Sequence, residues 1–492
     1  MSAIRAFKES YVTAGLDDSE NTDFGDFGAR RLRYSLLWAQ YENTSYRAVH
    51  HWAASLKHQY GLYRYARNLY SPAFRLGEFY RTHVFGGQLS GDAGPDGAIP
   101  IIVAENERLR PAIAELWRWS NWAVNKDVLA LWGAVLGDVA IQITDDVTRG
   151  RVYLSVLHPG LIKDVELDPF SNVKSYTIEE VRPDPTGKNR TVTYTETVGR
   201  DGDLVTYETY LNGQPHAWSE NTDRTGEPVS SWAEGYGFIP LTLIRHNDVG
   251  AGQWGWSELH PARSKMQEVD DLASNLSDQI RKYLDPVWLM KGMKATGITV
   301  SGAAATTDRP EPGREEIQAM WTTSTDADAQ AMVADLNLEQ ALAHLAGILK
   351  ELEKDYPELD SDISTSSGDA SGRALRVARQ RAANKVLQRR SNYDSALVRA
   401  QQMALSIGGF RGYKGYEGFN LDSYQRGDLD HEIGNRPVFE SDPLDEYEIE
   451  TEFWRAAEQA QKAGCPLAIY LKRAGWSDDE IAETLSGNTT TE

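Results

Sequence analysis

The sequence predicts an α+β chain that is mostly helical. Three observations lead there: a β-rich block confined to 138–247, long helical patterns on both sides of it, and no strand–helix alternation of the kind that builds a doubly wound parallel sheet. The 492 residues are material for about three domains, or fewer large ones.

Residues 30–85 read as helical, with Leu32, Leu36, Leu37, Trp52 and Leu56 at turn-like spacings before the break at Gly86-Gly87. A second helical stretch covers 111–136, with Pro111 suited to a first turn and Gly137 as the stop. In the β block, TVTYTETV (191–198) and LVTYETYL (204–211) alternate as half-buried strands do, and Asn212-Gly213 marks a tight hairpin. FIPLTLI (238–244) is apolar enough for a covered strand.

Helices return at 257–284, where Leu259, Met266, Val269, Leu272, Leu276 and Ile280 fall on one face. A mixed segment, 285–325, holds the short strand candidates VWLM, ITV and IQAMW and the loop DRPEPG. A second long helix is predicted over 326–355. The polar run DSDISTSSGDASG (360–372) follows, then a third long helix over 371–407 with Ala382, Val386, Tyr393, Leu397, Ala400 and Ala404 on its apolar stripe. Between 371 and 400 that helix carries eight Arg/Lys and one Asp, so its other face is basic. Such a face is either solvated or in contact with phosphates or an acidic neighbouring subunit. The last part, 441–492, has twelve Asp/Glu against four Lys/Arg and reads as helical at 445–463 and 467–485.

The net charge of −21 argues against a nucleic-acid coat that depends on overall attraction to phosphate. Cys465 is the single cysteine, so no disulfide forms within the chain. The start, MSAIRAFKES, has no apolar core of a secretory signal, and no run of about 18 apolar residues predicts a membrane span. A cytosolic product is the expectation. Fourteen tryptophans and 23 tyrosines suit cores and subunit interfaces alike.

Motifs of chemistry are few. Gly250, Gly252 and Gly255 match G-x-G-x-x-G, but Trp254 and Trp256 crowd the turn, the following acids (Glu268, Asp270, Asp271) lie inside a helix, and no βαβ unit surrounds the match. The expected role is a flexible loop joining a sheet to a long helix. GKN (187–189) lacks the hydroxyl residue and upstream glycine of a phosphate-binding loop. DSDISTSSGD has Thr365 where a calcium loop needs glycine. His50, His51 and His58 lack a matching ligand set and are expected to be structural. Neither a catalytic signature nor a cofactor or metal site is predicted, so an enzyme reading has no positive support.

The order of elements is more telling: long helix, small mixed module, second long helix, polar loop, long basic helix, acidic helical tail. It resembles the portal proteins of tailed bacteriophages, of the type that meets a siphophage head-to-tail connector. VLGDVAIQITDDVTRGRVYLSVLHPGLI (135–162) is similar to the family's wing segment, and FIPLTLIRHN (238–247) to the strand ahead of the stem. WSELHPARSKMQEVDDLASNLSDQIRKYLDPVWLMKG (256–292) is similar to the first stem helix. GDASGRAL (368–375) is similar to the opening of the helix after the tunnel loop, and AGWSDDEIAETL (474–485) to the C-terminal ending. One departure is Asp270-Asp271, where relatives often have an asparagine.

The resemblance implies a wing in 1–255, a first stem helix in 256–284, a clip in 285–325, a second stem helix in 326–357, a tunnel loop in 358–371, a long wing helix with the rest of the wing in 372–440, and a helical crown in 441–492. It implies a dodecameric ring at one capsid vertex of the virion, assembled in the host cytoplasm, with double-stranded DNA in its channel. Its implied partners are the terminase large subunit, a head–tail adaptor, and the major capsid and scaffolding proteins, with no membrane. The expected DNA-facing residues are Asp362, Ser364, Thr365, Ser366 and Ser367. Arg373, Arg376 and Arg379 are candidates for phosphate or intersubunit contact, and Lys291 and Lys294 for the clip's partner surface. The rival readings are a non-viral self-assembling scaffold without DNA passage and, behind it, an enzyme of unrecognised type.

Overall fold

The computed structural model describes residues 26–44, 70, 72–86, 101–103, 106–185, 187, 190–221, 227–250, 253–284, 287–291, 328–332, 338–359, 372–434, 436, 438–439, 443–474 and 481. They are α+β and fall into two compact units. The larger comprises Met1–Ser45, Ser71–Ala262 and Glu353–Glu492; the smaller comprises Tyr46–Tyr70 and Arg263–Leu352.

In the larger unit, α1 (Phe27–Tyr41) is capped by Asp26, whose carboxylate accepts from the Ala29 N–H at 2.8 Å. Then come α2 (Pro72–His83) and a short strand β1 (Ile101–Val103). The single helix expected over 111–136 is two, α3 (Leu109–Trp119) and α4 (Trp122–Leu136). Asn121 between them takes a left-handed φ of 48°. The break has a tertiary cause: the Ser120 hydroxyl accepts from the Leu154 N–H at 2.8 Å.

The β block is present as expected and forms two antiparallel sheets. The first has the order β10–β2–β3, from β2 (Asp138–Asp146), β3 (Arg151–Leu157) and β10 (Leu241–Arg245). The second runs β4 (Ile162–Leu167), β5 (Val173–Pro183), β6 (Thr191–Asp201), β7 (Leu204–Leu211) and β8 (Gln214–Pro215), with β9 (Ser231–Glu234) also on β7. At the β7–β8 hairpin Leu211 faces Gln214, and Asn212 and Gly213 take the positive φ values, 48° and 81°, of a tight primed turn. FIPLTLI is a strand only from Leu241. Pro240 has no N–H to pair, while Phe238 and Ile239 are buried outside the ladder.

Across the first sheet lies α7 (Gly372–Arg411), a 40-residue helix packed on β2, β3 and β10. Its stripe residues Ala382, Val386, Tyr393, Leu397, Ala400 and Ala404 are all fully buried. Each large apolar side chain buried this way stabilises by roughly 1.5–3 kcal/mol. The short α8 (Leu421–Arg426) and β13 (His431–Ile433) complete the core, β13 pairing with β1. The tail forms α9 (Pro443–Lys462) and α10 (Leu467–Arg473).

In the smaller unit, α5 spans Arg263–Leu284 and α6 starts at Leu338, its helix running to Asp355. Val269 and Ala273 of α5 pack with Leu345 of α6, flanked by Leu272, Leu276, Ile348, Leu349 and Tyr70. Two boundaries differ from expectation. The first helix starts six residues later than 257, because Ser257 to Ala262 form a turn with Pro261 ahead of the helix. The second starts at 338 because Asp328–Met332 is a strand, β12, paired antiparallel with β11 (Val287–Lys291). DAQAM has helix-forming residues, and pairing with VWLMK overrides them. The candidates ITV and IQAMW lie outside the described residues, as do His50, His51 and His58.

Candidate functional site

A dense polar network among the described residues of the larger unit lies where the chain leaves it, at 257–262, and where it returns, at 356–359. The C-terminal end of α4 builds the receptor. Gly137 takes a φ of 98°, and a Cβ there would lie 2.6 Å from the Ser257 N. A Cβ on Gly255 would lie 2.6 Å from the Gly137 carbonyl oxygen. The two backbones therefore touch, which only glycine allows. Gly255 is a packing contact, not the flexible joint expected from the G-x-G-x-x-G match. Gly250, with φ 69° and open space around it, keeps the looser role, and Gly252 lies outside the described residues.

This contact seats the next residues. The Ser257 hydroxyl donates to the Val135 carbonyl at 2.6 Å, and the Glu258 N–H donates to the Ala134 carbonyl at 3.0 Å. On the other side the Gly255 N–H donates to Asp138 Oδ1 at 2.6 Å and the Tyr34 hydroxyl to Oδ2 at 2.9 Å. Burial pushes the Asp138 carboxyl up to about 7, against the pull of those two bonds and of Arg33 and Arg30.

Glu258 is thereby aimed into a buried cluster. Arg389 Nε donates to its Oε1 at 2.5 Å, and Lys385 Nζ lies 3.8 Å from its Oε2. His246 Nε2 lies 3.3 Å from Oε1, while Nδ1 meets the Tyr393 hydroxyl at 2.7 Å. A neutral ring protonated on Nε2 lets Nδ1 accept from the Tyr393 hydroxyl, while Nε2 faces Glu258 without a well-formed hydrogen bond, and burial lowers the histidine below its ordinary range. Burial opposes the Glu258 charge, but His246, Arg389 and Lys385 outweigh it and hold the carboxyl at about 2. Gly133 makes room for Tyr393: a Cβ there would overlap the phenol oxygen.

The returning segment joins the same cluster. The Tyr356 hydroxyl donates to the Glu258 carbonyl at 2.6 Å and accepts from the Ala262 N–H at 3.3 Å. Glu358, whose side chain is fully buried, lies 2.7 Å from Lys385 Nζ and accepts from the Tyr80 hydroxyl. The carboxylates are engaged by cations and hydroxyls and face no nucleophile. The arrangement is a clamp that fixes two chain segments to α7. Among the described residues no group of three or more His, Cys, Asp or Glu could hold a metal ion, and no helix is long and apolar enough to cross a membrane.

The basic residues of α7 also turn inward. Arg390 donates to the carbonyls of His83 (2.7 Å), Val84 (2.9 Å) and Arg436 (2.5 Å), and Arg399 to that of Ser171 (3.0 Å). For Lys385, Arg389, Arg390 and Arg399 neither a solvated face nor an external phosphate is needed; the larger unit itself supplies the partners. Arg379 is half-buried with its guanidinium 5.4 Å from the Phe439 ring centroid. Arg373 and Arg376 stand in the first two turns of α7, and Lys291 closes β11 opposite Asp328. Asp362, Ser364, Thr365, Ser366, Ser367 and Lys294 lie outside the described residues. The sequence reading missed Glu258, Glu358, His246, Tyr80 and Tyr356, and placed Tyr393 only as a residue of the apolar stripe. Its one usable signal was Lys385 and Arg389, four apart and flanking the stripe positions Ala382, Val386 and Tyr393.

Residues 184–423 match the family model described as phage portal protein, SPP1 Gp6-like. The resemblance to portal proteins is thereby shown: the matching stretch runs from just after β5 through α7 into α8 and includes Glu258, Glu358, Lys385 and Arg389. No curated protein matches the chain. Among solved structures, a chain from the neck of an empty GTA particle computed with C6 symmetry is 14% identical, with 80% of this chain and 90% of that one covered and a TM-score of 0.39. A chain from the virion of a native gene transfer agent particle is also 14% identical, with 80% and 89% covered and a TM-score of 0.38.

Proposed function

We infer that the chain is a bacteriophage portal protein that forms a dodecameric ring at one capsid vertex and gives double-stranded DNA its channel for packaging and ejection. The family match over 184–423 carries the reading. In this reading α5 and α6 are the stem helices, the β11–β12 ribbon is the root of the clip, the β block and α7 belong to the wing, and α9 and α10 to the crown. The terminase motor docks during packaging and the head–tail connector later, at a clip surface that includes Lys291 and Lys294.

The net charge of −21 favours passage rather than capture. An acidic channel repels the duplex, so that a few weak contacts from 360–371 guide it without the many phosphate contacts that would stall it; the expected loop start at 358 moves to 360 because Glu358 and Leu359 are buried in the larger unit. Ring closure needs heterologous contacts between neighbours.

The test is assembly with the particle's own capsid and scaffolding proteins. Label on this chain is expected at one vertex per particle, and the pair Lys291→Glu and Lys294→Glu is expected to weaken motor-dependent packaging while rings persist. Label spread over all vertices, or absent from particles that still fill with DNA, contradicts the reading and favours a scaffold.

A further inference from the structure

Lys385 stands between two carboxylates that belong to different chain segments. Its ammonium is 2.7 Å from Glu358 Oε1 and 3.8 Å from Glu258 Oε2, and 5.1 Å from the Tyr356 ring centroid. Glu258 lies on the segment by which the chain leaves the larger unit, just before Arg263; Glu358 lies on the segment by which it returns. At these distances the ammonium makes close contact with one acid and a loose one with the other.

The two acids are unequally served. Glu258 has Arg389 at 2.5 Å as a second cation, and its segment is pinned to α4 through Ser257. Glu358 has Lys385 and the Tyr80 hydroxyl on Oε1, while its Oε2 is buried without a hydrogen-bond partner among the described residues. Such an oxygen keeps much of its desolvation cost. The cation between the acids is a lysine, a point charge on a flexible four-carbon stem, where an arginine fork would fix one geometry. Its side chain is 26% exposed, against 0% for Glu358 and 3% for Glu258. Lys385 therefore has the freedom to move that both acids lack.

We propose that Lys385 is a two-position latch: its ammonium is shared by Glu358 and Glu258, so that loosening the returning segment tightens the outgoing one. Through this one residue of α7 the two segments are coupled with opposite sign, against the direct same-sign link in which the Tyr356 hydroxyl holds the Glu258 carbonyl and the Ala262 N–H. Carried into the ring, the latch passes a displacement of one stem root to the other and to the long helix; that consequence rests on the portal reading, whereas the latch itself rests on the geometry of the larger unit.

Hydrogen exchange on the intact purified chain tests it. The Glu258 amide, which donates to the Ala134 carbonyl, reports the outgoing segment; the Leu359 amide, which donates to the Tyr356 carbonyl, reports the returning one, and the Ala262 amide, bonded to the Tyr356 hydroxyl, responds to both. Glu358→Gln is expected to speed exchange in peptides covering 356–359 by about tenfold, the scale of a lost charge-assisted hydrogen bond. The same variant is expected to slow exchange of the Glu258 amide. In a Lys385→Met background, or Lys385→Gln if the methionine variant fails to fold, Glu358→Gln is expected to leave exchange of the Glu258 amide unslowed. Exchange of the Glu258 amide that is unchanged or faster in the single variant, or slowed equally in both backgrounds, overturns the proposal.

Discussion

The Arg389 guanidinium donates to the Glu258 carboxylate at 2.5 Å, across 131 residues of sequence, with both side chains almost wholly buried. The pair ties the chain's exit from the larger unit to the middle of the 40-residue α7. Removing one member leaves the other charge buried. Arg389→Met is expected to destabilise the larger unit by about 3–5 kcal/mol, the usual cost of breaking a buried pair. The double variant Arg389→Met with Glu258→Gln should recover part of that loss in chemical denaturation. Strict additivity of the two single effects would show that the residues do not interact.

Asp138 gives the chain a pH dependence of known sign. Its folded carboxyl titrates near 7 against 3.8 in an unfolded chain, so the folded state binds the proton more readily. Its stabilising contribution is full below about pH 4 and is lost as pH rises towards 7, with a slope of at most about 1.4 kcal/mol per unit. Glu258, held low, has the opposite sign: its contribution is present above about 4.5 and lost as pH falls towards 2. Denaturation midpoints measured from pH 4 to 8 should therefore change less steeply in Asp138→Asn than in the parent. Parallel curves would remove Asp138 from the balance.

The glycines of the G-x-G-x-x-G match should behave differently from one another. Gly255→Ala places a methyl 2.6 Å from the Gly137 carbonyl, a backbone atom that cannot swing away. A loss of about 1–3 kcal/mol is expected from that overpacking. Gly250→Ala meets open space and carries only the strain of its left-handed φ, about 1–2 kcal/mol. A thermal melt that ranks Gly250→Ala as the more damaging would contradict the packing role of Gly255.

Much of this fold was legible in the sequence because its signals are local. The alternation in TVTYTETV and LVTYETYL, the Asn212-Gly213 turn and the stripe of α7 each depend on neighbours a few residues apart. Long-range partners decided what was missed. The break at Asn121 answers to Leu154, the strand Asp328–Met332 answers to Val287–Lys291, and the inward turn of Arg390 answers to carbonyls of His83 and Val84. The clamp was invisible for the same reason. A glutamate in WSEL becomes an anchor only once Gly137 and Gly255 bring it beneath α7.

The segment 360–371, which follows the buried Glu358 and Leu359, carries the most direct functional prediction. A run of Ser, Thr, Asp and Gly offers weak, exchangeable contacts to phosphates, and Arg373 and Arg376 follow it at the start of α7. Deleting Ser364 to Ser367 is expected to leave ring assembly intact and to impair DNA filling or retention, read as the DNA content of purified particles. Normal filling and full retention would take the segment out of the mechanism, and loss of rings would reassign it to structure.

Negative-stain imaging of the purified chain reaches the central claim most directly. Closed rings with an axial hole are the expected result, consistent with twelve subunits. Particles that stay monomeric at micromolar concentration and above, at every salt concentration tried, would contradict the portal reading.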